Sequence, residues 1–213
     1  ATLSGILSGA FNLTTAGTSE LTLSGTNSFS GTTTVNGEKI TWTQAPGTLL
    51  HLNGPRSAHS WVWAQANAFS NERGEPTDFL FEGISGRARL AGPMPSPRFS
   101  ALYFRYRGQD FRFTTVWDSI RIRSRSSLTE WTFQADRGEL SFKGRVSSAP
   151  RDFAGLTLED TNGSFIHASL SLISTLEVHV YRRGKLEATF TAAGTTAFEV
   201  ASRQKNPYVP ALV

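Results

Sequence analysis

The run Trp61-Val62-Trp63-Ala64-Gln65-Ala66-Asn67-Ala68-Phe69 alternates without a break, and it limits what this chain can fold into more than any other stretch. Successive side chains of a strand point to opposite faces, so Trp61, Trp63, Gln65, Asn67 and Phe69 share one face. Val62, Ala64, Ala66 and Ala68 share the other, which is small, apolar and suited to close packing. The first face is large and aromatic, yet it carries two amides, and a buried amide needs hydrogen-bond partners. Aromatic walls with a few fixed polar groups are the make-up of a ligand pocket. The expectation is a β-barrel around this strand, with the W-x-W-x-Q-x-N-x-F face lining its cavity. Core packing is the plainer reading of Trp61 and Trp63 alone; the neighbouring amides favour the pocket wall.

The two-residue period continues along the chain. A long strand is expected from Asp78 to Leu90, then one with Leu102, Phe104 and Tyr106 on a single face. Further strands follow with Phe111, Phe113 and Trp117; Asp118 to Arg125; Leu128 to Ala135; Leu140 to Val146; and Phe153 to Glu159. Ser164 to Leu172, Leu176 to Val180, Leu186 to Thr191 and Ala197 to Ala201 complete the pattern. Arg107-Gly108, Asp136-Arg137-Gly138 and Arg183-Gly184 punctuate it as turns. Asn36-Gly37 is the strongest hairpin signal, because both central positions of a type I′ turn need positive φ. No segment shows a useful 3.6-residue period. Evenly spaced strands, roughly fifteen in all, predict an all-β antiparallel barrel or pair of barrels. That is more strands than a simple eight-stranded barrel uses. Residues 1–35 read as short strands of Ser, Thr and Gly with little register information, and no internal repeat is evident.

At 213 residues the chain can bury a substantial core. It has no cysteine, hence no disulfide framework or thiolate metal site, and its four scattered histidines form no metal-ligand pair. No apolar run approaches the ~20 residues of a spanning helix, so no stable membrane insertion is expected; of a soluble protein's compartments the cytoplasm is favoured, with secretion after loss of a cleaved signal left open. The net charge of +4 is mostly arginine beyond residue 55. Arg121, Arg123 and Arg125 on one expected strand face, with Arg105 and Arg107 on another, could meet nucleic acid or anionic lipid. A solvated outer sheet face is the preferred reading, with no nucleic-acid partner.

Several of these residues resemble the tocopherol cyclase family. They are the Trp61–Phe69 run, the following Phe81-Glu82-Gly83 strand, and the order Gly155, Gly163, Leu176, Tyr181-Arg182-Arg183-Gly184. The family is lipocalin-like, and its wider relatives include carotenoid hydratases and fungal Diels–Alderases. The resemblance runs from about residue 30 to residue 201. It implies a lipocalin-like barrel over 55–213, with 1–54 the remnant of a first lipocalin-like half supplying extra strands. It also implies a cofactor-independent enzyme of secondary metabolism, an isomerase or lyase that closes a ring in, or adds water across, a double bond of a prenylated or polyene substrate, by acid-assisted or pericyclic chemistry without metal.

Ring closure by protonation needs an acid, aromatic faces for the developing cation and exclusion of water. Glu82, between Leu80 and Ile84 on its face, is the candidate acid, against a plain carboxylate–arginine pair. His167 is a candidate donor to a substrate oxygen, against a structural histidine. Trp61, Trp63, Gln65, Asn67, Phe69, Tyr106 and Trp117 are the expected substrate-binding residues. The partner expected is therefore a hydrophobic small molecule. A non-catalytic lipocalin-like carrier is the alternative, and a carbohydrate- or partner-binding β-sandwich is a weaker third.

Overall fold

The computed structural model describes residues 58–89, 94–159 and 163–209 and, as backbone strands alone, parts of the first 42 residues. The chain divides between Leu52 and Asn53 into two units.

In the first unit the strands are β1 (Thr2–Leu3), β2 (Ser8–Ala10), β3 (Leu13–Thr15), β4 (Thr22–Leu23), β5 (Ser28–Val35) and β6 (Glu38–Trp42). β1 lies parallel to β4, while β2 and β3 lie parallel to successive parts of β5. Every pair has the same offset of 20 residues: Thr2 beside Thr22, Ser8 beside Ser28, Leu13 beside Thr33. Parallel pairing at a constant offset is the register of stacked repeats, where antiparallel strands were expected. The sequence carries this repeat after all: Thr2-Leu3-Ser4-Gly5 returns as Thr22-Leu23-Ser24-Gly25, and Thr14 as Thr34. β5 and β6 are antiparallel with Val35 opposite Glu38, the register expected of a two-residue hairpin. Asn36 and Gly37 themselves lie outside the described residues.

The second unit holds β7 (Ser60–Ala66), β8 (Leu80–Arg89), β9 (Pro95–Tyr106), β10 (Gln109–Phe113), α1 (Val116–Arg121), β11 (Arg123–Ser126), β12 (Glu130–Arg137), β13 (Leu140–Ser147), β14 (Ala154–Glu159), β15 (Phe165–Arg182) and β16 (Lys185–Ser202). They form one antiparallel ten-stranded sheet ordered β10-β9-β8-β7-β16-β15-β13-β12-β11, with β14 beside β15. The sheet is not closed by a ladder between β10 and β11. β15 and β16 run the length of the unit and shift register between Ser171 and Leu176. There β15 changes neighbours, from β14 to β13.

The sheet curls around a core of rings. Phe79, Phe81, Phe104, Phe113, Trp131, Phe142 and Phe198 are all fully buried. Phe81 stacks on Phe133 at 4.6 Å, Phe104 on Phe142 at 4.4 Å and Phe79 on Phe190 at 4.3 Å. Val62, Ala64 and Ala66 face these rings, because strands supplying so much aromatic volume leave β7 room for small side chains only. Gly83 and Gly144 are small for the same reason. Among the described residues these rings fill the centre of the enclosed side, where a hollow was expected.

One polar chain crosses that core. Trp131 Nε1 donates to Ser124 Oγ at 2.9 Å, Ser124 Oγ to Ser85 Oγ at 2.9 Å, and Ser85 Oγ meets Ser100 Oγ at 2.7 Å. Ser124 is on β11 and Ser85 on β8, so hydroxyls tie the two flanks of the curled sheet together.

The stretch expected as a strand from Asp118 is instead the short helix α1. Thr115 caps it: its hydroxyl accepts from the Asp118 N–H, and the Asp118 carboxylate accepts from the Thr115 N–H. Arg121 belongs to this helix, so only Arg123 and Arg125 share the face of β11, both exposed. Trp117 is 74% exposed on the helix surface, so it does not face the enclosed side as expected of a substrate-binding residue.

Arg137 bridges the open seam. Its guanidinium donates to the Arg112 carbonyl at 2.7 Å and to Asp118 at 3.0 Å, and lies 4.7 Å over the Phe113 ring. Burial alone would raise the Asp118 pKa, but the Thr115 hydroxyl and N–H and then Arg137 outweigh it and hold it below the usual value. A depressed carboxylate stabilises the fold above its unfolded pKa, and that stability is lost as pH falls through the folded value. Arg137→Ala is expected to cost about 1 kcal/mol at neutral pH, since the arginine is half exposed. The difference from wild type in urea unfolding should shrink below the carboxylate range. A difference that persists undiminished in acid would contradict the ion-pair part of this assignment.

Candidate ligand face and acid

β7 lies between β8 and β16, and three rungs of its outward face build the site. Trp61 sits between Gly86 and Ala201, Trp63 between Ile84 and Glu199, and Gln65 between Glu82 and Ala197. These residues are on the side of the sheet opposite the ring core, so the aromatic face does not line the interior of the curled sheet as expected; Val62, Ala64 and Ala66 do. Gly86 is needed beside Trp61: a Cβ there would stand 3.0 Å from the Ser60 carbonyl oxygen and 3.2 Å from the Trp61 Cβ. A second, smaller apolar cluster of Ile166, Ala168 and Ala201 packs against Trp61 and Leu156 and fixes the first indole from the β15 side.

Glu199 is the chemical centre of the face. Trp61 Nε1 donates a hydrogen bond to its Oε1. Burial raises the Glu199 pKa, and the Trp61 hydrogen bond opposes that effect only in part. Such a carboxyl retains its proton to higher pH than a surface glutamate. Trp63 stands on the same rung, its indole N–H buried and without a hydrogen-bond partner. The face therefore offers one proton source and two indole rings, with Gln65 and Glu82 half-buried on the next rung.

Of the residues singled out in the sequence, Trp61, Trp63, Gln65 and Glu82 come together here. Asn67 is half-buried just past the end of β7. Phe69 departs from the expected face: β7 ends at Ala66, the alternation lapses, and Phe69 packs edge-on against Phe79 at 4.9 Å inside the core. Tyr106 is also on the core side, 4% exposed at its rim. His167 pairs across to Ser202, one residue out of phase with the Trp61–Ala201 rung, and so points to the opposite side from Glu82. Its Nδ1 lies 3.4 Å from Thr157 Oγ1 in a small recess between β14 and β15. Sequence reasoning missed Glu199. Alternation about the buried Phe198 places it on the outward face, but its neighbour Trp61 is 138 residues away, and nothing local announces that register.

Among the described residues no group of three His, Asp or Glu side chains could hold a metal ion. No described helix is long and apolar enough to cross a membrane.

The fold defines an all-β protein whose larger unit is an open, curled, antiparallel sheet carrying a two-tryptophan face with an acid. No protein-family model matches the chain, and no curated protein matches it in sequence. Among solved structures it is similar to a protein of Nitrosomonas europaea provisionally named AttH, with a TM-score of 0.43 and 10% identity. That match covers 70% of this chain and 52% of the other, so the chain spans about half the length of that protein.

Proposed function

We propose that the second unit is a lipocalin-like domain that holds a hydrophobic prenylated or polyene molecule against the Trp61–Trp63 face and closes a ring in it with Glu199 as the acid. The observation that carries this reading is a carboxyl held toward its protonated form beside two indoles. The resemblance to tocopherol cyclases at residues 61–69 supports the substrate class.

In a prenylated hydroquinone, Glu199 gives its proton to the less substituted alkene carbon. The tertiary cation that forms is stabilised by the Trp61 and Trp63 ring faces. The phenol oxygen bonds to the cationic, more substituted carbon, and the phenolic proton returns to Glu199, so the acid is regenerated. Gln65, half-buried on the next rung, can hold a substrate oxygen, which orients the alkene over the acid.

The second reading, a carrier without turnover, draws on the Trp61–Glu199 bond, which gives the carboxyl a structural role of its own. A prenylated hydroquinone separates the two. A cyclase converts it to the ring-closed ether; Glu199→Gln binds it and leaves it unconverted. A carrier binds it in both forms and converts it in neither. Failure of the wild-type protein to bind it would remove both readings.

A further inference from the structure

We propose that α1 and the arginines around it form a docking surface for an anionic lipid bilayer, which the protein meets from one side without spanning it. This goes beyond the function proposed above and shares no residue with the Trp61–Trp63 face. Three of the six residues of α1 are apolar and turned outward: Val116 is 64% exposed, Trp117 74% and Ile120 71%. Apolar residues scattered singly over a surface are ordinary, whereas three on one short helix form a patch.

Helix geometry gathers these side chains. At about 100° per residue, Val116, Ile120, Trp117 and Arg121 follow one another around a single arc. Ser119 lies on the other side, buried, and its hydroxyl accepts from the Ser100 N–H at 2.8 Å, which holds α1 against β9. Asp118 is half-buried and engaged by Thr115 and Arg137, so the only acid of the helix is already neutralised. The apolar arc is thereby fixed toward solvent. Phe99, next to Ser100 in the chain, is exposed as well.

Cations surround the arc. Arg121 is on it, and Arg123 and Arg125 follow on β11, all exposed. Arg98 reaches the same place from β9: its guanidinium donates to the Ser85 carbonyl and hydroxyl, each at 3.3 Å, and that hydroxyl is bonded to Ser100 and Ser124. Arg87 stands opposite Arg98 in the ladder, and burial first, then the charge of Arg87, lowers the Arg98 pKa. Among the described residues none of these five arginines forms an ion pair. Residues 83–109 and 119–129 contain no acid. A solvated sheet face accounts for the arginines but not for the apolar arc between them. An apolar helix face bearing a tryptophan and flanked by arginine is the pattern of interfacial binding. Indoles settle at headgroup depth, and anionic headgroups attract arginines close to the surface. Val116 and Ile120 offer no ring on which a base could stack, so the surface fits lipid better than nucleic acid.

Vesicles of equal parts phosphatidylcholine and phosphatidylglycerol are the probe, with phosphatidylcholine alone as the uncharged control. Co-sedimentation should show the wild-type protein bound to the mixed vesicles at low salt, released at high salt, and unbound by phosphatidylcholine. Trp117→Ala should weaken binding about tenfold. Arg121→Gln with Arg123→Gln should weaken it about twentyfold, the product of two charges near the surface. Lys205→Gln, which removes a charge beside β14, should bind as wild type does. Brominated acyl chains should quench wild-type fluorescence more than that of Trp117→Ala. The substituted side chains are exposed and in no ion pair among the described residues, so every variant should melt with the wild type. Absence of binding to the mixed vesicles, equal binding to phosphatidylcholine, undiminished binding or equal quenching in Trp117→Ala, or an equal loss in Lys205→Gln would each overturn the proposal. So would a single-stranded oligonucleotide that binds more tightly than the vesicles and loses affinity in Trp117→Ala, since the surface would then belong to nucleic acid. None of these results bears on turnover at Glu199.

Discussion

Gly144→Ala should destabilise the second unit by about 2–4 kcal/mol, the upper part of the range for overpacking a filled core. A Cβ at residue 144 would stand 2.0 Å from Cζ and 2.2 Å from Cε2 of Phe133. That ring has nowhere to go. It stacks on Phe81 and leans on Trp131 at 5.0 Å and Phe104 at 6.0 Å, all of them fully buried. Gly144 lies opposite Phe133 in the β12–β13 ladder, so the glycine is the space the ring occupies. Urea unfolding should show a lower midpoint with little change in slope. Gly83→Ala should act in the same direction, because its Cβ would meet Leu102 at 2.6 Å, Phe81 at 2.8 Å and Trp131 at 3.0 Å. Near-neutral results at both positions would mean that the core holds more free volume than described here.

Glu199→Gln should lower turnover of a prenylated hydroquinone by about 10²–10⁴-fold, the usual contribution of a positioned acid. Its effect on stability should run the other way. A carboxyl whose folded pKa lies above its unfolded value stabilises the fold below the unfolded pKa, and that contribution is lost as pH rises through the folded value. At neutral and alkaline pH the charged form is the penalised one. Glutamine keeps the acceptor for Trp61 Nε1–H without carrying charge, so Glu199→Gln should melt higher than wild type at pH 8, with the difference shrinking as pH falls into the carboxylate range. A variant that melts lower at every pH would show that the negative charge is wanted at this position.

How much of this could be read from the sequence depended on how local the cause was. The alternation at 61–69 gave the strand and the right partition of its faces as far as Gln65. Turns at Arg107-Gly108 and Arg183-Gly184 stand where positive φ is required. The dry side could not be assigned from β7 alone, because it is set by Phe81, Phe104 and Trp131 on other strands. That is why the small face turned out to be the core face. The α1 helix had a visible mark in Thr115-Val116-Trp117-Asp118, but six residues are too few for a 3.6-residue period to show. The 20-residue repeat in the first unit went unseen because its Ser, Thr and Gly residues repeat with many substitutions, and the match lies in backbone register more than in side chains. Glu199 owes its role to burial by strands distant in sequence, which no local pattern encodes.

Native mass spectrometry of the protein offered a prenylated hydroquinone, with wild type and Trp63→Ala side by side, tests most directly whether the two-tryptophan face holds a hydrophobic molecule. Retention of one molecule by the wild type and its loss in Trp63→Ala is the predicted result. An empty wild-type protein, or equal retention by the two, would contradict it.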